Sequence, residues 1–377
     1  MIYLDNSATT SFKPKCVKNA VISAIDNLSA NAGRSGHRKS VCAATLVYRT
    51  RRKLADFAGC DGDVVFTENC TEALNLAILG SIARGSHVIT TVYEHNSVLR
   101  PLFESENAGK ISVSVVRPNS DGIIDFAQIK PLLRSDTRLI AVNHVSNVTG
   151  ATADIHGIGK AVENTNIRLL VDGAQSVGYI PVDMKKSNIS YLAIAPHKGL
   201  HSIQGAGALC IAKGLKLRPI KFGGTGTQSL SVLQPEDAPE CYESGTLPLP
   251  AIAATNRAID YTEKNFAFNA EVVSELCKRL IRGLSAVDGV RILSRENPSG
   301  IVALNIGALS SEAVCDCLDK DYEIAARGGL HCAPLVHKYL GTVLSGAVRL
   351  SVGCDNTEKE IDEVIRAIKE IAAAVVS

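Results

Sequence analysis

The sequence predicts an α/β protein with a large lobe on a mostly parallel sheet and a smaller C-terminal α/β lobe. Three observations carry this. From about residue 60, short β-rich runs alternate with stretches long enough for crossover helices, the pattern of parallel strands covered on both faces. The stretch 222–250 is rich in Gly, Pro, Ser and Thr and reads as a long loop, followed by a helical segment that links two lobes. The length of 377 residues exceeds the roughly 100–200 usual for one domain. The expected division is a large domain over residues 15–255 and a small one over 256–377, which the N-terminal segment 1–14 joins.

Taken in order, the strands expected in the large lobe are 64–67, 87–91, 111–115, 138–142, 168–171, 191–195 and 208–212. Helices are expected between them at 71–82, 96–106 and 126–133. The linking helix is 251–284, and the small lobe has strands at 302–306 and 348–352 and a closing helix at 358–374. Thr357 is a plausible N-cap for that helix, with acidic residues in its first turn. The basic run Arg49, Arg51, Arg52 and Lys53 lies on a helical stretch and reads as a solvated face. Gly205-Ala206-Gly207 precedes a strand, so it is no dinucleotide fingerprint.

Composition excludes several classes. Lys and Arg total 40 against 38 Asp and Glu, a net charge of +2, and no basic stripe points to nucleic acid or a membrane surface. No apolar run approaches the roughly 18 residues of a membrane span. The start Met-Ile-Tyr-Leu-Asp-Asn lacks the basic and apolar regions of a signal peptide. Eleven cysteines, an odd number at low density, read as reduced thiols of a cytoplasmic protein. Cys42, Cys210 and Cys277 are expected to be inert core residues. Cys315-x-Cys317 lacks zinc-knuckle spacing and reads as helix, so no metal is expected.

In a parallel sheet ligands bind at the carboxyl ends of the strands, so the residues just after each strand carry the argument. After 64–67 come Cys70 and Thr71 at a helix start, either an ordinary N-cap or an anion site. Asp172 follows 168–171; a carboxylate there is costly without a cationic partner, though singly it is also a turn residue. Lys198 follows 191–195 in Pro-His-Lys-Gly. Such a site depresses an amine's pKa and makes it a nucleophile, unless the side chain snorkels to water. Phosphate cradle, buried aspartate and lysine together suggest pyridoxal phosphate, which needs all three. His95 follows 87–91 and suits stacking on a planar cofactor or proton transfer; His144 and Asn147 follow 138–142. Near the far end, Cys332 sits in a Gly- and Pro-bounded loop beside His331 and near Arg327, both of which favour a thiolate. Arg349 suits a substrate carboxylate or a structural salt bridge.

These residues resemble, across nearly the whole chain, the cysteine desulfurase/selenocysteine lyase family of fold-type-I pyridoxal-phosphate enzymes in the class V aminotransferase group. The matching motifs are Tyr3-Leu-Asp-Asn-Ser-Ala-Thr-Thr, Thr71-Glu-Ala-Leu-Asn, Tyr93-Glu-His-Asn, His144-Val-Ser-Asn-Val-Thr-Gly, Val171-Asp-Gly-Ala-Gln, His197-Lys198 and Tyr242-Glu-Ser-Gly-Thr. The segment around His331-Cys332 looks like the short-loop branch, group II, which usually hands sulfur to a partner protein. The resemblance implies that Lys198 links covalently to the cofactor and shuttles protons, that Asp172 holds its ring nitrogen, and that His95 stacks on the ring. It assigns Gln175 and Asn147 to the ring substituents. It assigns Thr71 and His197, with Cys70 beside them, to the phosphate, joined by Thr246 from the other subunit of a homodimer. His37, Asn147, Arg327 and Arg349 line the substrate site, and Cys332 is the sulfur-accepting nucleophile. Ala195 and Pro196 depart from the family's hydroxyl and glycine.

The implied reaction converts L-cysteine to L-alanine, with sulfur held on Cys332 as a persulfide for an acceptor protein in iron–sulfur cluster assembly or other sulfur trafficking. The alternatives are a selenocysteine lyase acting on L-selenocysteine, another class V enzyme (aminotransferase, epimerase or C–S lyase), and a degenerate scaffold.

Overall fold

In the computed structural model, which describes residues 1–33 and 35–376, the chain begins with a two-residue strand β1 (Ile2–Tyr3) and two helices, α1 (Lys15–Asn27) and α2 (Arg38–Ala58). The alternation that follows is β2 (Asp63–Thr67), α3 (Cys70–Ser81), β3 (Ser86–Thr91), α4 (Asn96–Asn107), β4 (Ile111–Val116), α5 (Phe126–Ile129), β5 (Thr137–Asn143), α6 (Ile155–Ala161), β6 (Arg168–Asp172), β7 (Tyr191–Ile194) and β8 (Gly207–Ile211). These seven larger strands form one sheet in the order β2-β8-β7-β6-β5-β3-β4. Only β8 runs against its neighbours, so the sheet is mostly parallel, as the alternation predicts.

Successive side chains along the strands point to opposite faces and build two cores. On one face Phe66, Ile89, Ile140, Val171 and Leu192 pack with Leu54 of α2. On the other, Val65, Val88, Leu139, Leu170 and Leu209 pack with Leu74 and Ile78 of α3 and Leu102 of α4. Covering both faces leaves β3, β7 and β8 wholly buried, which is why β7 and β8 read as apolar runs.

The rest of the chain is α7 (Leu249–Ser285), β9 (Val290–Ile292), β10 (Ile301–Ile306), α8 (Ser311–Tyr322), β11 (Ile324–Ala325), α9 (Pro334–Leu340), β12 (Val348–Ser351) and α10 (Glu358–Val376). α7 is a shared strut about 55 Å long: Ile252 and Ile259 belong to the first core, Val273, Leu280 and Leu284 to a third. That third core joins β10, β12, α8 and α10 to Ile2 and Leu4. β9, β10 and β12 pair antiparallel, while β1 pairs parallel with β11, returning the N-terminal segment to the far end of the chain.

Local chemistry sets the boundaries. Asn69 and His95 cap α3 and α4 by accepting main-chain N–H bonds. α10 opens on a capping box: Glu360 N–H donates to Thr357 Oγ1, and Thr357 N–H to Glu360 Oε2. Pro131 breaks the expected helix at 126–133 into α5 and a 3-10 turn at Lys130–Leu132. The basic run is a correction. Arg51 turns inward, gripping Glu243 through both guanidinium nitrogens and lying over the Phe66 ring, because helical periodicity sends only part of a run to solvent. Cys42 is also corrected: it is exposed on α2, whereas Cys210 and Cys277 are buried.

Candidate active site

The carboxyl ends of β5, β6 and β7 open on a cavity of about 280 Å³. It is closed by residues 7–8, the start of α3, the His95–Ser97 turn, and Arg327, His331, Cys332 and Arg349 from the small lobe. The structure thus brings together Cys70, Thr71, His95, Asn147, Asp172, Gln175, His197, Lys198, Arg327, Cys332 and Arg349. Two expected residues lie elsewhere. His37 is exposed at the start of α2, where its Nδ1 accepts Ser40 N–H, and Thr246 is exposed in the long loop before α7.

Lys198 rides on a tight turn after β7. Its own N–H donates to the Ala195 carbonyl, and the preceding His197 carbonyl accepts from Thr10 N–H, Thr9 Oγ1, Thr10 Oγ1 and Lys13 Nζ. The next residue must be glycine, since a Cβ on Gly199 would lie 2.3 Å from the Val177 carbonyl oxygen. The Lys198 side chain reaches the cavity, but the surrounding protein desolvates its amine and lowers its pKa, against the opposing pull of Asp172 and Cys70. Among the described residues the amine has no hydrogen-bond partner.

Asp172 ends β6, and only 6% of its surface is exposed. Its Oδ1 accepts Ala174 N–H at 2.9 Å, with Cys70 Sγ 4.0 Å away. Burial raises its pKa, opposed by that N–H and by Lys198. Such a carboxylate calls for an N–H⁺ partner. Burial also holds the Cys70 thiol protonated, its pKa pushed well up.

Beside them lies the anion site. The start of α3 comes close to β8 because Gly207 has no side chain; a Cβ there would sit 2.3 Å from the Asn69 carbonyl carbon. Thr71 Oγ1 lies 2.7 Å from Ser97 Oγ, which lies 2.8 Å from His95 Nδ1. That same Nδ1 accepts Ser97 N–H, which leaves the ring proton on Nε2. His197 Nδ1 lies 3.1 Å from Thr9 Oγ1. Burial, then the charge of Lys198, lowers both histidines to about 4, so both are neutral at pH 7.

The far wall corrects two expectations. Arg349, 1% exposed, is not a free fork: Nη2 grips Asp5 Oδ1 at 2.6 Å and Nη1 donates to the Asn147 carbonyl, leaving Nε unpaired. Arg327 makes no ion pair among the described residues. His331 brings no charge to Cys332: burial, then Arg349, lowers it to about 3, and its Nε2–H donates to the Ala347 carbonyl. Cys332 is exposed at the cavity mouth, and it and His331 both have left-handed backbones, φ 56° and 50°. Each costs roughly 1–2 kcal/mol for a residue with a Cβ. Ser7, Ser97 and Asn143 also line the cavity. Hydroxyl and amide residues are too common for the sequence to mark them out.

Among the described residues, Asn147 Oδ1, His331 Nδ1 and Arg349 Nε are buried without partners, and their residues line this cavity. Proteins rarely leave such atoms unmatched, so a polar ligand belongs here. A helix start with spare N–H groups, an aspartate awaiting an N–H⁺ and a buried lysine whose pKa is lowered fit pyridoxal phosphate. Fold and site together have the architecture of the fold-type-I pyridoxal-phosphate transferases.

The chain matches the class-V aminotransferase family over residues 2–364. It is 31% identical to a probable cysteine desulfurase of Pyrococcus abyssi, over 100% of this chain and 95% of that one, and 30% identical to another from Methanothermobacter thermautotrophicus, over 98% and 94%. The apo structure of cysteine desulfurase from Thermococcus onnurineus superposes with a TM-score of 0.90 at 30% identity, over 99% of this chain and 95% of that one. The chain belongs to the class-V aminotransferases and, within them, to the cysteine desulfurase family.

Proposed function

We propose that this protein is a pyridoxal-phosphate-dependent cysteine desulfurase that converts L-cysteine to L-alanine while Cys332 accepts the sulfur as a persulfide. The observation that carries this reading is one cavity with Lys198 and Asp172 inside and an exposed thiol at its mouth. The balance is simple: the substrate C–S bond breaks, an S–S bond forms to Cys332, and alanine leaves with a proton in place of sulfur. Bound in the cavity, pyridoxal phosphate supplies the electron sink that weakens the substrate's Cα–H and C–S bonds.

The chain's own residues do the rest. Lys198, its pKa lowered by burial, provides the linking amine and takes and returns the substrate's α-proton. Asp172 holds the ring nitrogen. Thr71 and His197 hold the phosphate beside Cys70, with Ala195 presenting a methyl where a hydroxyl would add a contact. His95, a neutral imidazole, would stack on the ring, and Gln175 and Asn147 would meet its substituents. Arg327 and the free Nε of Arg349 receive the substrate carboxylate. Thr246 and His37, exposed here, serve this site from the second protomer of a homodimer. An acceptor protein then takes the sulfur for iron–sulfur cluster assembly or another sulfur-using route. We place the enzyme in the cytoplasm. We divide it into a large domain, 15–255, and a small one, 256–377 with 1–14, a reading that the separate apolar cores support.

The test compares wild type with Cys332→Ala, both loaded with pyridoxal phosphate and supplied with L-cysteine and a reductant. The variant is expected to lose alanine and enzyme-bound persulfide while keeping the cofactor's visible absorbance. Wild type that makes no alanine overturns the reading. Turnover of L-selenocysteine alone, run in parallel, would make the protein a selenocysteine lyase.

A further inference from the structure

Cys332 stands on a boundary. It lines the inner cavity and also a groove of about 590 Å³ along α3 and α4, bordered by Asn75, Arg100 and Lys110. A thiol that takes sulfur from one side and releases it on the other must be held between the two. Its main chain is left-handed at two successive non-glycine residues, a conformation that persists only where the surroundings impose it. Three bonds do so. Asn147 Nδ2 donates to the His331 carbonyl at 2.8 Å, Asn96 N–H donates to the Cys332 carbonyl at 2.7 Å, and His331 Nε2 donates to the Ala347 carbonyl at 2.9 Å. The first two donors belong to the large lobe, the thiol to the small one.

The geometry points to Asn96, through its main-chain N–H, and Asn147, through its side-chain amide, as positioning residues for the Cys332 thiol. The inference rests on the desulfurase reading for its purpose, not for its geometry. Asn147 has two ends: Nδ2 ties the cysteine turn, while the unpaired Oδ1 is left for whatever fills the cavity. The same amide therefore links occupancy of the cavity to the setting of the thiol. Asn96 is the first residue of α4, where an N–H has no partner within the helix, so the Cys332 carbonyl uses a donor the helix leaves spare.

That position permits a clean substitution. Proline is well tolerated at the first residue of a helix, and His95, at φ −72° and ψ 155°, already has the backbone that a residue before proline prefers. Asn96→Pro therefore deletes one N–H, while Asn96→Ala removes the same side chain and keeps it. Both are compared with wild type, loaded with pyridoxal phosphate, for melting temperature and visible absorbance. Single-turnover persulfide formation at saturating L-cysteine and the rate of iodoacetamide alkylation of the Cys332 peptide by mass spectrometry complete the set. Relative to Asn96→Ala, Asn96→Pro is expected to slow persulfide formation about tenfold or more and to speed alkylation roughly three- to tenfold. Absorbance and melting temperature should stay put. Persulfide and alkylation rates within about twofold of Asn96→Ala overturn the proposal. Should Asn96→Pro fail to fold, Asn147→Asp decides: it keeps an oxygen toward the cavity and loses the donor, so unchanged alkylation there overturns the proposal and faster alkylation supports it. Alkylation needs no substrate. If wild type makes no alanine, the desulfurase reading fails, and the alkylation contrast still decides whether these groups hold the turn.

Discussion

The turn carrying Lys198 and the turn carrying Cys332 face the same cavity from opposite lobes and are held in contrasting ways. The lysine turn is deep, follows a wholly buried strand, and is tied at the His197 carbonyl by Thr9, Thr10 and Lys13. The cysteine turn is exposed and left-handed, and rests on single hydrogen bonds reaching across from the other lobe. Burial does the chemical work at the first, since desolvation lowers the pKa of the amine. At the second, access matters more, because on the proposed reading the thiol must be reached by substrate and by acceptor. One turn is built to stay dry and the other to be placed.

The largest test of that contrast is Lys198→Ala. Alanine release should fall by about 10²–10⁴-fold, the range for losing a positioned proton-transfer group, while iodoacetamide alkylation of Cys332 stays as in wild type. If alkylation moves as well, the turns are not independent.

Acid should strike the dry side next. His95, His144, His197 and His201 are lowered to about 4 and His331 to about 3, chiefly by burial. In the unfolded chain they titrate near 6.5, so as pH falls from about 6.5 toward 4 the unfolded state takes up protons that the folded state refuses. Stability should drop through that window by on the order of 1–3 kcal/mol per group, read as melting temperature against pH. A flat profile would refute their burial as neutral rings. Glu94 works in the other direction: burial raises it from 4.5 to about 8, so Glu94→Gln should gain stability over wild type as pH rises from about 4.5 toward 8 and no further above it.

A smaller effect is expected from Lys13→Met, which removes one donor from the His197 carbonyl. Alanine formation should fall roughly three- to tenfold, with no change in Cys332 alkylation. The smallest comes from Thr357→Ala, which removes the α10 cap far from both turns. It should cost about 1 kcal/mol of stability and leave the visible absorbance and the alkylation rate unchanged. Movement in either would mean that global stability, and not local anchoring, separates the two turns.

Most of the large sheet was legible because β6, β7 and β8 carry apolar runs between helical periods, and Asp172 and Lys198 sit at or just after the ends of such runs. What escaped the sequence depends on distance along the chain. The Asp5–Arg349 pair joins residues 344 apart, and no local pattern marks Asp5 as the group that would occupy half of the arginine fork. The charge state of His331 depends on packing against the small lobe, which turns a residue expected to assist Cys332 into a neutral ring. Arg51 and Cys42 differ from expectation for one reason: which side of α2 meets the core is decided by what packs against it.

The pairing of Ile2 and Tyr3 with Ile324 and Ala325 has a consequence for synthesis. The first strand leaves the ribosome about 320 residues before its partner exists, a wait of roughly 15–60 s at typical elongation rates. Meanwhile the large sheet can form, but the segment that clasps the lysine turn is not yet tethered by its own strand. A nascent chain stopped before β11 would therefore carry the lysine, the aspartate and the anion site without the thiol or the closed N-terminal clasp. Synthesis of the segment from β11 to β12 is then also the moment at which the cavity is first closed, so chains stopped before it carry the lysine turn without its facing wall.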